Sequence, residues 1–494
     1  MTALLDWLTS LFILAVGTGV LAVIVLFVID RLQTSDAIRR NYPVIGRMRY
    51  LLSDLGEFLR QYFYAMDREE MPFNRAQRDW VYDAAKGKST NVAFGSTRNL
   101  EPVGTPIFVN GPWPTLERDA VPARPMAIGE GAADTPFVAG SFYNASGMSF
   151  GSISPPATRA LSHGAAKARC WLNTGEGGLS PYHLEGGCDL VFQIGTAKYG
   201  VRDEDGNLSD DKLRAIAAHD AVRMFELKLA QGAKPGKGGI LPASKVNAEI
   251  AEIRGIPEGE ASISPNRHPE IASNGELLDM IERIRTVTGK PTGFKTVIGA
   301  YGWIEELFEE INRRGQRSAP DFITVDSGDG GTGAAPMPLI DNVGLTIREA
   351  LPMLVDLRDR AGLRDRIRII ASGKLVTPSE VAWALCAGAD FTTSARGFMF
   401  SLGCIQAMKC NENTCPTGIT TMDKSLQKGL DPVTKTDRVA RFVEAMREEV
   451  GIIAHSVGVA GPRQMSREHV RLVCADGRSR PLAELYPAVG VQPG

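Results

Sequence analysis

Three cysteines fall close together in Gly403–Thr420, GCIQAMKCNENTCPTGIT: Cys404, Cys410 and Cys415, with five and then four residues between them. Three thiolates on one compact loop can hold a cluster of soft metal ions. Iron–sulfur clusters usually take four cysteines. A set of three fits a three-iron cluster better, at one ligand per iron. Pro416 follows the last cysteine, ends regular structure and removes one backbone donor. The same residues would also serve as three small buried hydrophobes.

Other loops carry ligand-binding chemistry. Asp326–Pro336, DSGDGGTGAAP, follows an apolar run. Its glycines let backbone N–H groups approach a ligand, and Asp329 and Thr332 can anchor polar atoms. Any tight loop uses glycine this way, so that pattern alone is weak. Ser372–Lys374 follows IRIIA, and Ser394–Gly397 follows the last apolar run. Backbone donors with one Lys and one Arg there suit a mononucleotide phosphate. Lys295 lies near the end of the run TGFKT. A buried amine there needs a counter-charge or an acceptor-rich ligand, such as a flavin's carbonyl edge; a structural ion pair meets the same need. Two further loops suit an acid substrate. Asn173–Gly178 sets Glu176 among glycines, and Gly232–Gly239, GAKPGKGG, holds Lys234 and Lys237, with Arg254 beyond. Arg254 can pair with a carboxylate as a fork and Lys234 as a point charge, although each alone is more often a surface charge.

These loops need a frame. From about Phe137, short apolar runs alternate with amphipathic segments. The runs are Phe137–Ser141, Cys170–Asn173, Leu190–Gln193, Met224–Leu229, Thr292–Thr296, Phe322–Val325, Ile367–Ala371 and Phe391–Ser394. Helices are predicted over Pro155–Ala168, Asn274–Thr288, Ile304–Arg314, Thr346–Ala361 and Pro378–Cys386. Eight strands alternating with helices predict an α/β fold, a parallel barrel, with a doubly wound sheet as its rival. In both, ligands sit at the carboxyl ends of strands, where the polar and glycine-rich loops are.

Upstream, Leu8–Ile29 is 22 residues without a charge. That length spans a bilayer core as a helix. No Lys or Arg precedes it, and Arg31, Arg39, Arg40, Arg47 and Arg49 follow. The positive-inside rule predicts a single-pass anchor in the cell inner membrane with the catalytic domain cytoplasmic. A signal peptide would need a basic start and a small-residue cleavage site, and neither is clear; a buried core helix is the other alternative. Tyr50–Met66 places Leu51, Leu52, Leu55, Phe58, Leu59 and Phe63 at helical spacing, and Asn91–Pro125 reads as a strand-and-loop entry. The division expected is an anchor over 1–30, a helical and strand-loop segment over 31–136, a barrel over 137–425, and a C-terminal helix and tail over 426–494.

The 55 basic and 57 acidic residues nearly balance, for a net charge of −2, which argues for no nucleic-acid surface. Seven cysteines in 494 residues make no disulfide scaffold. Cys170, Cys188, Cys386 and Cys474 are scattered, and most of them read as core thiols in a reducing compartment.

The motifs Met148–Ser154 (MSFGSIS), Asn173–Gly178, Gly232–Gly239, Ser327–Pro336 and Gly403–Ile419 run in an order that resembles the FMN-binding synthase domain of glutamate synthase. The match covers roughly Ala139 to Met422, and the anchored layout looks like the stand-alone bacterial members of that family. The resemblance implies a (β/α)8 TIM barrel, FMN, and a 3Fe–4S cluster on Cys404, Cys410 and Cys415. It implies that Glu176, Lys234 and Arg254 face 2-oxoglutarate or 2-iminoglutarate. Around FMN it puts Ser149, Lys295, Asp329, Gly330, Gly331, Thr332, Gly333, Gly373, Lys374, Ser394, Arg396 and Gly397. The implied reaction is reductive amination of the 2-oxo acid to L-glutamate. Ammonia or an amine donor would supply nitrogen, and ferredoxin, a flavoprotein subunit or a membrane carrier would supply electrons; a homo-oligomer is open.

Three departures qualify it. A membrane span stands where the full synthase has a glutaminase domain, so glutamine hydrolysis is not expected. Ile240 replaces a glutamine of the family's GEGGQLPG pattern, which puts the substrate in doubt. The chain ends about seventy residues after the cysteine loop, so the long C-terminal β-helix of the full enzyme is not expected. An amine dehydrogenase, an amine-transferring synthase subunit, or a non-catalytic electron-relay or scaffold subunit are the alternatives.

Overall fold

The structure is a computed structural model and describes residues 2–487, apart from the side chains of Asp54, Glu57 and Phe58. Residue 1 of the expected anchor, the tail over 488–494 and the place of Phe58 on its helical face lie outside the described residues. Two compact units divide the chain, Met1–Ala76 and Gln77–Gly494.

In the first unit, Thr2–Leu32 is a helix of 31 residues, long and apolar enough to cross a membrane by length and composition. Asp30 near its end is buried and accepts from Arg39 and Arg47, each at 2.7 Å, and from the Val44 N–H at 3.0 Å. These three bonds fold the chain back on itself directly after the apolar run. The helix predicted from Tyr50 starts earlier, at Ile45, and runs to Leu59 before a π-helical turn over Arg60–Tyr64.

In the second unit, eight parallel strands close into a barrel. They are β1 (Tyr143–Ala145), β2 (Leu172–Asn173), β3 (Leu190–Ile194), β4 (Val222–Lys228), β5 (Thr292–Val297), β6 (Phe322–Asp326), β7 (Arg368–Ser372) and β8 (Phe391–Ser394). Strand β8 pairs with β1 to complete the circle. The strands read as near-continuous apolar runs because helices cover them outside and side chains fill them inside.

The expected first strand is corrected. Phe137–Ala139 is not in the barrel; it pairs antiparallel with Met126–Ile128. Ile128, Phe137 and Ala139 of this hairpin join Trp171, Val191, Met224, Phe322, Ile370 and Phe391 in one buried cluster. Those partners lie at or near the beginnings of their strands, so the hairpin closes the barrel's amino end, and its apolar pattern imitates a barrel strand.

The helices follow the predicted spans closely. Pro155–Ala168 begins with Ser154, which accepts from the Ala157 N–H, and with proline in its first turn. The C-terminal helix Pro432–Ser456 crosses it at Gly164, where a Cβ would meet Val439 Cγ1 at 2.6 Å. Pro106–Phe108 in the entry segment pairs with Val470–Val473, which also pairs with Ser479–Pro481, so the C-terminal segment forms strands as well as a helix.

Candidate active site

A cleft whose empty space, open solvent included, is about 1080 Å³ opens at the carboxyl ends of the strands. Of the residues singled out by sequence, it gathers Ser149, Glu176, Lys234, Arg254, Lys295, Gly331, Thr332, Gly333, Arg396 and Cys410. Its lining does not include Asp329, Gly330, Gly373, Lys374, Ser394, Gly397, Cys404 or Cys415.

Glu176 sits in the loop after β2. A Cβ on Gly195 or Gly239 would meet its carboxylate at 2.6 Å, so both glycines are what lets the side chain fold inward. Lys228, at the end of β4, pairs with Glu176 at 2.9 Å and also donates to Gln231, which donates to Thr332 at 3.0 Å. Burial pushes the Glu176 carboxyl up, but the charge and hydrogen bond of Lys228, with Lys234 and Arg254 behind it, hold it below its ordinary value.

Lys234 and Arg254 are not surface charges: they are 7% and 4% exposed. Burial first, then repulsion from Lys228, pushes the Lys234 amine down to about 8, against the pull of Glu176. The loop that carries Lys234 starts at Gly232, where a Cβ would stand 1.8 Å from the Ser327 carbonyl. Arg254 donates to Ser262 Oγ at 3.0 Å and to the Phe150 carbonyl at 3.1 Å, with its guanidinium over the Tyr199 ring. Its Nε is buried with no hydrogen-bond partner among the described residues, a donor left for an acceptor-bearing ligand.

Lys295 on β5 pairs with Asp326 at the end of β6 at 3.2 Å, and Asp326 also accepts the Gly232 N–H at 3.0 Å. Burial opposes the charge on Lys295, but Asp326, Glu226 and Glu176 together raise its affinity for the proton. Lys374 pairs with Asp329 at 3.0 Å. Ser394 Oγ accepts the Gly397 N–H at 3.1 Å. Gly373 takes a left-handed φ of 101°, with Ser327 where a Cβ would go.

Arg396 donates to the Thr332 carbonyl and reaches Cys410 Sγ at 3.8 Å. Cys415 Sγ instead lies 3.3 Å from Thr417 Oγ1, and Tyr82 donates to the Cys404 carbonyl at 2.5 Å. The three thiols therefore share one loop, yet no group of three His, Cys, Asp or Glu is set as a metal site among the described residues.

Several cleft residues escaped the sequence reading: Lys228, Gln193, Gln231, Lys245 and, behind them, Asp326 and Glu226. Glu226 accepts from Asn173, Gln193 and Thr324 inside the barrel. A signal was there. The run Met224–Leu229 contains Glu226 and Lys228 two residues apart, on one face of a strand. Charges at that spacing in a buried strand point inward together.

The family model described as a conserved region in glutamate synthase matches residues 125–460. Glutamate synthase large subunit-like protein YerD of Bacillus subtilis is 40% identical over 93% of this chain and 95% of its own length. An archaeal-type glutamate synthase (NADPH) of Thermotoga maritima is 34% identical over 63% of this chain, which spans 58% of that relative. A crystal structure of mandelate oxidase with benzoyl-formic acid aligns over 81% of this chain and 96% of its own, at 16% identity and a TM-score of 0.44, too weak a likeness to bear on function.

Proposed function

The chain belongs to the glutamate synthase family, oxidoreductases acting on CH–NH2 donors, and we propose that it reductively aminates a 2-oxo acid, 2-oxoglutarate in the first instance, to L-glutamate. Ammonia or an amine donor supplies the nitrogen, and a ferredoxin or flavoprotein subunit supplies electrons one at a time. The N-terminal apolar helix tethers the enzyme to the membrane. The observation that carries this reading is one cleft at the strand ends that joins buried Lys234 and Arg254 and half-buried Glu176 to Cys410 of the three-cysteine loop.

Two groups follow from this reading. FMN fits the cleft's glycine wall: Gly331 and Gly333 leave space, and a Cβ on Gly331 would come within 2.8 Å of Arg396 Nε. Ser149, Lys295, Thr332 and Arg396 would hold it. The 3Fe–4S cluster fits by donor chemistry, with three free thiols on one loop and one of them on the cleft wall. Bound there, the flavin supplies hydride chemistry and the cluster single-electron transfer.

The chain's own residues bind and orient. Lys234 and Arg254 take the substrate's carboxylates, Arg254 with its unused Nε. Condensation of the 2-oxo group with ammonia releases water and gives the imine. Hydride addition at the imine carbon, with a proton at nitrogen, gives the amino acid. Glu176, kept a carboxylate by Lys228 at 2.9 Å, would orient the imine and relay its proton. Gln193 and the Lys295–Asp326 pair hold the floor of the cleft in place.

The test is an anaerobic assay of the purified chain with reduced ferredoxin or a dithionite-reduced mediator, screening 2-oxo acids with ammonia. Glutamate formation with flavin absorbance and bound iron is the expected result; a preparation with neither cofactor sinks it. Ile240, 42% exposed on the cleft wall, favours a second reading, an amine dehydrogenase acting on a less polar substrate. Flavin reduction by amines, without amination of any 2-oxo acid, would select it.

A further inference from the structure

Lys245 has no part in the chemistry just described, yet it is among the most deeply buried charges in the chain, at 2% exposed. It ends the short turn Ala243–Lys245, which follows the cleft-wall strand Ile240–Leu241, and lines the cleft. Its amine donates to the Cys410 carbonyl and the Thr420 carbonyl, each at 2.7 Å, and to the Ser152 carbonyl at 3.4 Å. Two of these acceptors belong to the cysteine loop and the third to the loop after β1. A second contact follows the same route, from Asn413 Nδ2 to the Ser244 carbonyl at 3.3 Å.

All three acceptors are neutral. Among the described residues no carboxylate pairs with Lys245, unlike Lys228 and Lys295 on the same cleft. Removing an ammonium from water without a counter-charge costs several kcal/mol, and carbonyl dipoles recover only part of it. The groups whose negative charge would reach this amine are the thiols of Cys410 and Cys415. Those thiols carry charge as metal ligands.

We infer that Lys245 is the counter-cation of the cysteine loop, a fixed positive charge clamped by two loop carbonyls that stabilises negative charge on the group held by Cys404, Cys410 and Cys415. The inference rests on the iron–sulfur reading of that loop. One electron from the external donor adds one negative charge to the cluster. A nearby fixed cation favours that reduced form and raises the reduction potential. Lys245 is thus a positioning and tuning residue, with its charge on the cluster side of the cleft.

The experiment compares the full chain as wild type, Lys245→Met and Lys245→Arg, purified anaerobically. Iron and acid-labile sulfide are counted, and the cluster is titrated by EPR against set potentials. In Lys245→Met the reduced-to-oxidised ratio at the wild-type midpoint should fall about tenfold, which is 59 mV for one electron. Lys245→Arg should stay near wild type. Loss of iron from Lys245→Met with retention in Lys245→Arg also supports a charge role. Full iron and an unchanged potential in Lys245→Met overturns the inference and leaves the cluster standing. Loss of iron from both variants overturns it too, since shape and not charge would then matter. Wild-type protein without iron or sulfide would remove the cluster itself and the inference with it.

Discussion

At the amino ends of the barrel strands, Phe137, Trp171, Phe322 and Phe391 pack into one apolar cluster. At the carboxyl ends, Lys228, Lys234, Arg254 and Lys295 are buried to a similar degree. Burial is alike and its energetics are opposite. Taking aromatic surface out of water stabilises the fold by about 25 cal/mol per Å². Taking an ammonium or guanidinium out of water costs free energy, which pairing must offset. Lys228 has Glu176 and Lys295 has Asp326; Lys234 is left with a depressed proton affinity, and Arg254 with an orphan donor. The lesson is that one end holds the barrel together, and the other is held by it at a cost that a bound acid would relieve. Substitutions at the two ends should therefore separate stability from turnover.

The largest effect is expected at Glu176. Glu176→Gln keeps the shape and removes the carboxylate that would orient the imine and relay its proton. Loss of a positioned acid–base group costs roughly 10²–10⁴ in turnover. The melting temperature should fall as well, because removing one partner of the buried Lys228–Glu176 pair leaves the ammonium without its counter-charge. A stopped-assay rate and a thermal melt on one preparation decide this. A large drop in melting temperature with normal turnover would break the comparison.

Phe391→Ala is the opposite experiment. It empties a site packed against Trp171, with ring centroids 5.2 Å apart and the rings tilted by 60°. A buried Phe→Ala costs about 3–5 kcal/mol, read by chemical denaturation. The surviving folded fraction should turn over normally, since nothing at that end touches the cleft. A changed KM in folded protein would show that the two ends are mechanically coupled.

The pH dependence sets the two properties directly against each other. Burial, with Lys228 adding to it, lowers the Lys234 amine to about 8 from an ordinary 10.5. Carboxylate binding needs the charged form, so kcat/KM should be full below pH 8 and fall by up to about tenfold per pH unit above it. Stability has the other sign. Between 8 and 10.5 the unfolded chain binds more protons than the folded one, so stability gains from this group as pH rises. Lys234→Arg should carry the activity limb beyond the measurable range, because a guanidinium stays charged. A limb that stays near pH 8 in that variant belongs to another group.

The same contrast explains what was legible in the sequence. Barrel strands and helices could be read because burial on both faces leaves continuous apolar runs, and the predicted span Asn274–Thr288 is the span observed. Phe137–Ala139 misled for the same reason: a plug under the barrel is as apolar as a strand within it. The loops of the cleft could be read from their glycines, since Gly232 and Gly239 have no room for a Cβ. Pairing could not be read. That Lys374 turns to Asp329, or Lys228 to Glu176, depends on which strand ends meet across the barrel. Lys228 and Glu226 were hidden inside a run that looked apolar, and Lys245 looked like one more charge in a polar loop.

The smallest expected effect falls at Ile240, where the two ends' rules meet in one side chain. It is an apolar residue on the charged wall, in a two-residue strand that pairs antiparallel with Ser262–Ile263. Because Ile240 is partly exposed, its replacement should move stability by no more than about 0.5 kcal/mol. Ile240→Gln adds a donor beside Lys234 and Arg254 on the lining. A hydrogen bond to a charged group is worth about 1.5–3 kcal/mol, so KM for 2-oxoglutarate should fall by about tenfold. A monocarboxylic 2-oxo acid should be unaffected, having no distal carboxylate to meet the new amide. The ratio of the two KM values is the measurement. If both fall together, Gln is acting on the shared carboxylate near the reacting carbon. If neither moves, the substrate's far end lies away from this strand, and the apolar wall serves the fold as the barrel's closed end does.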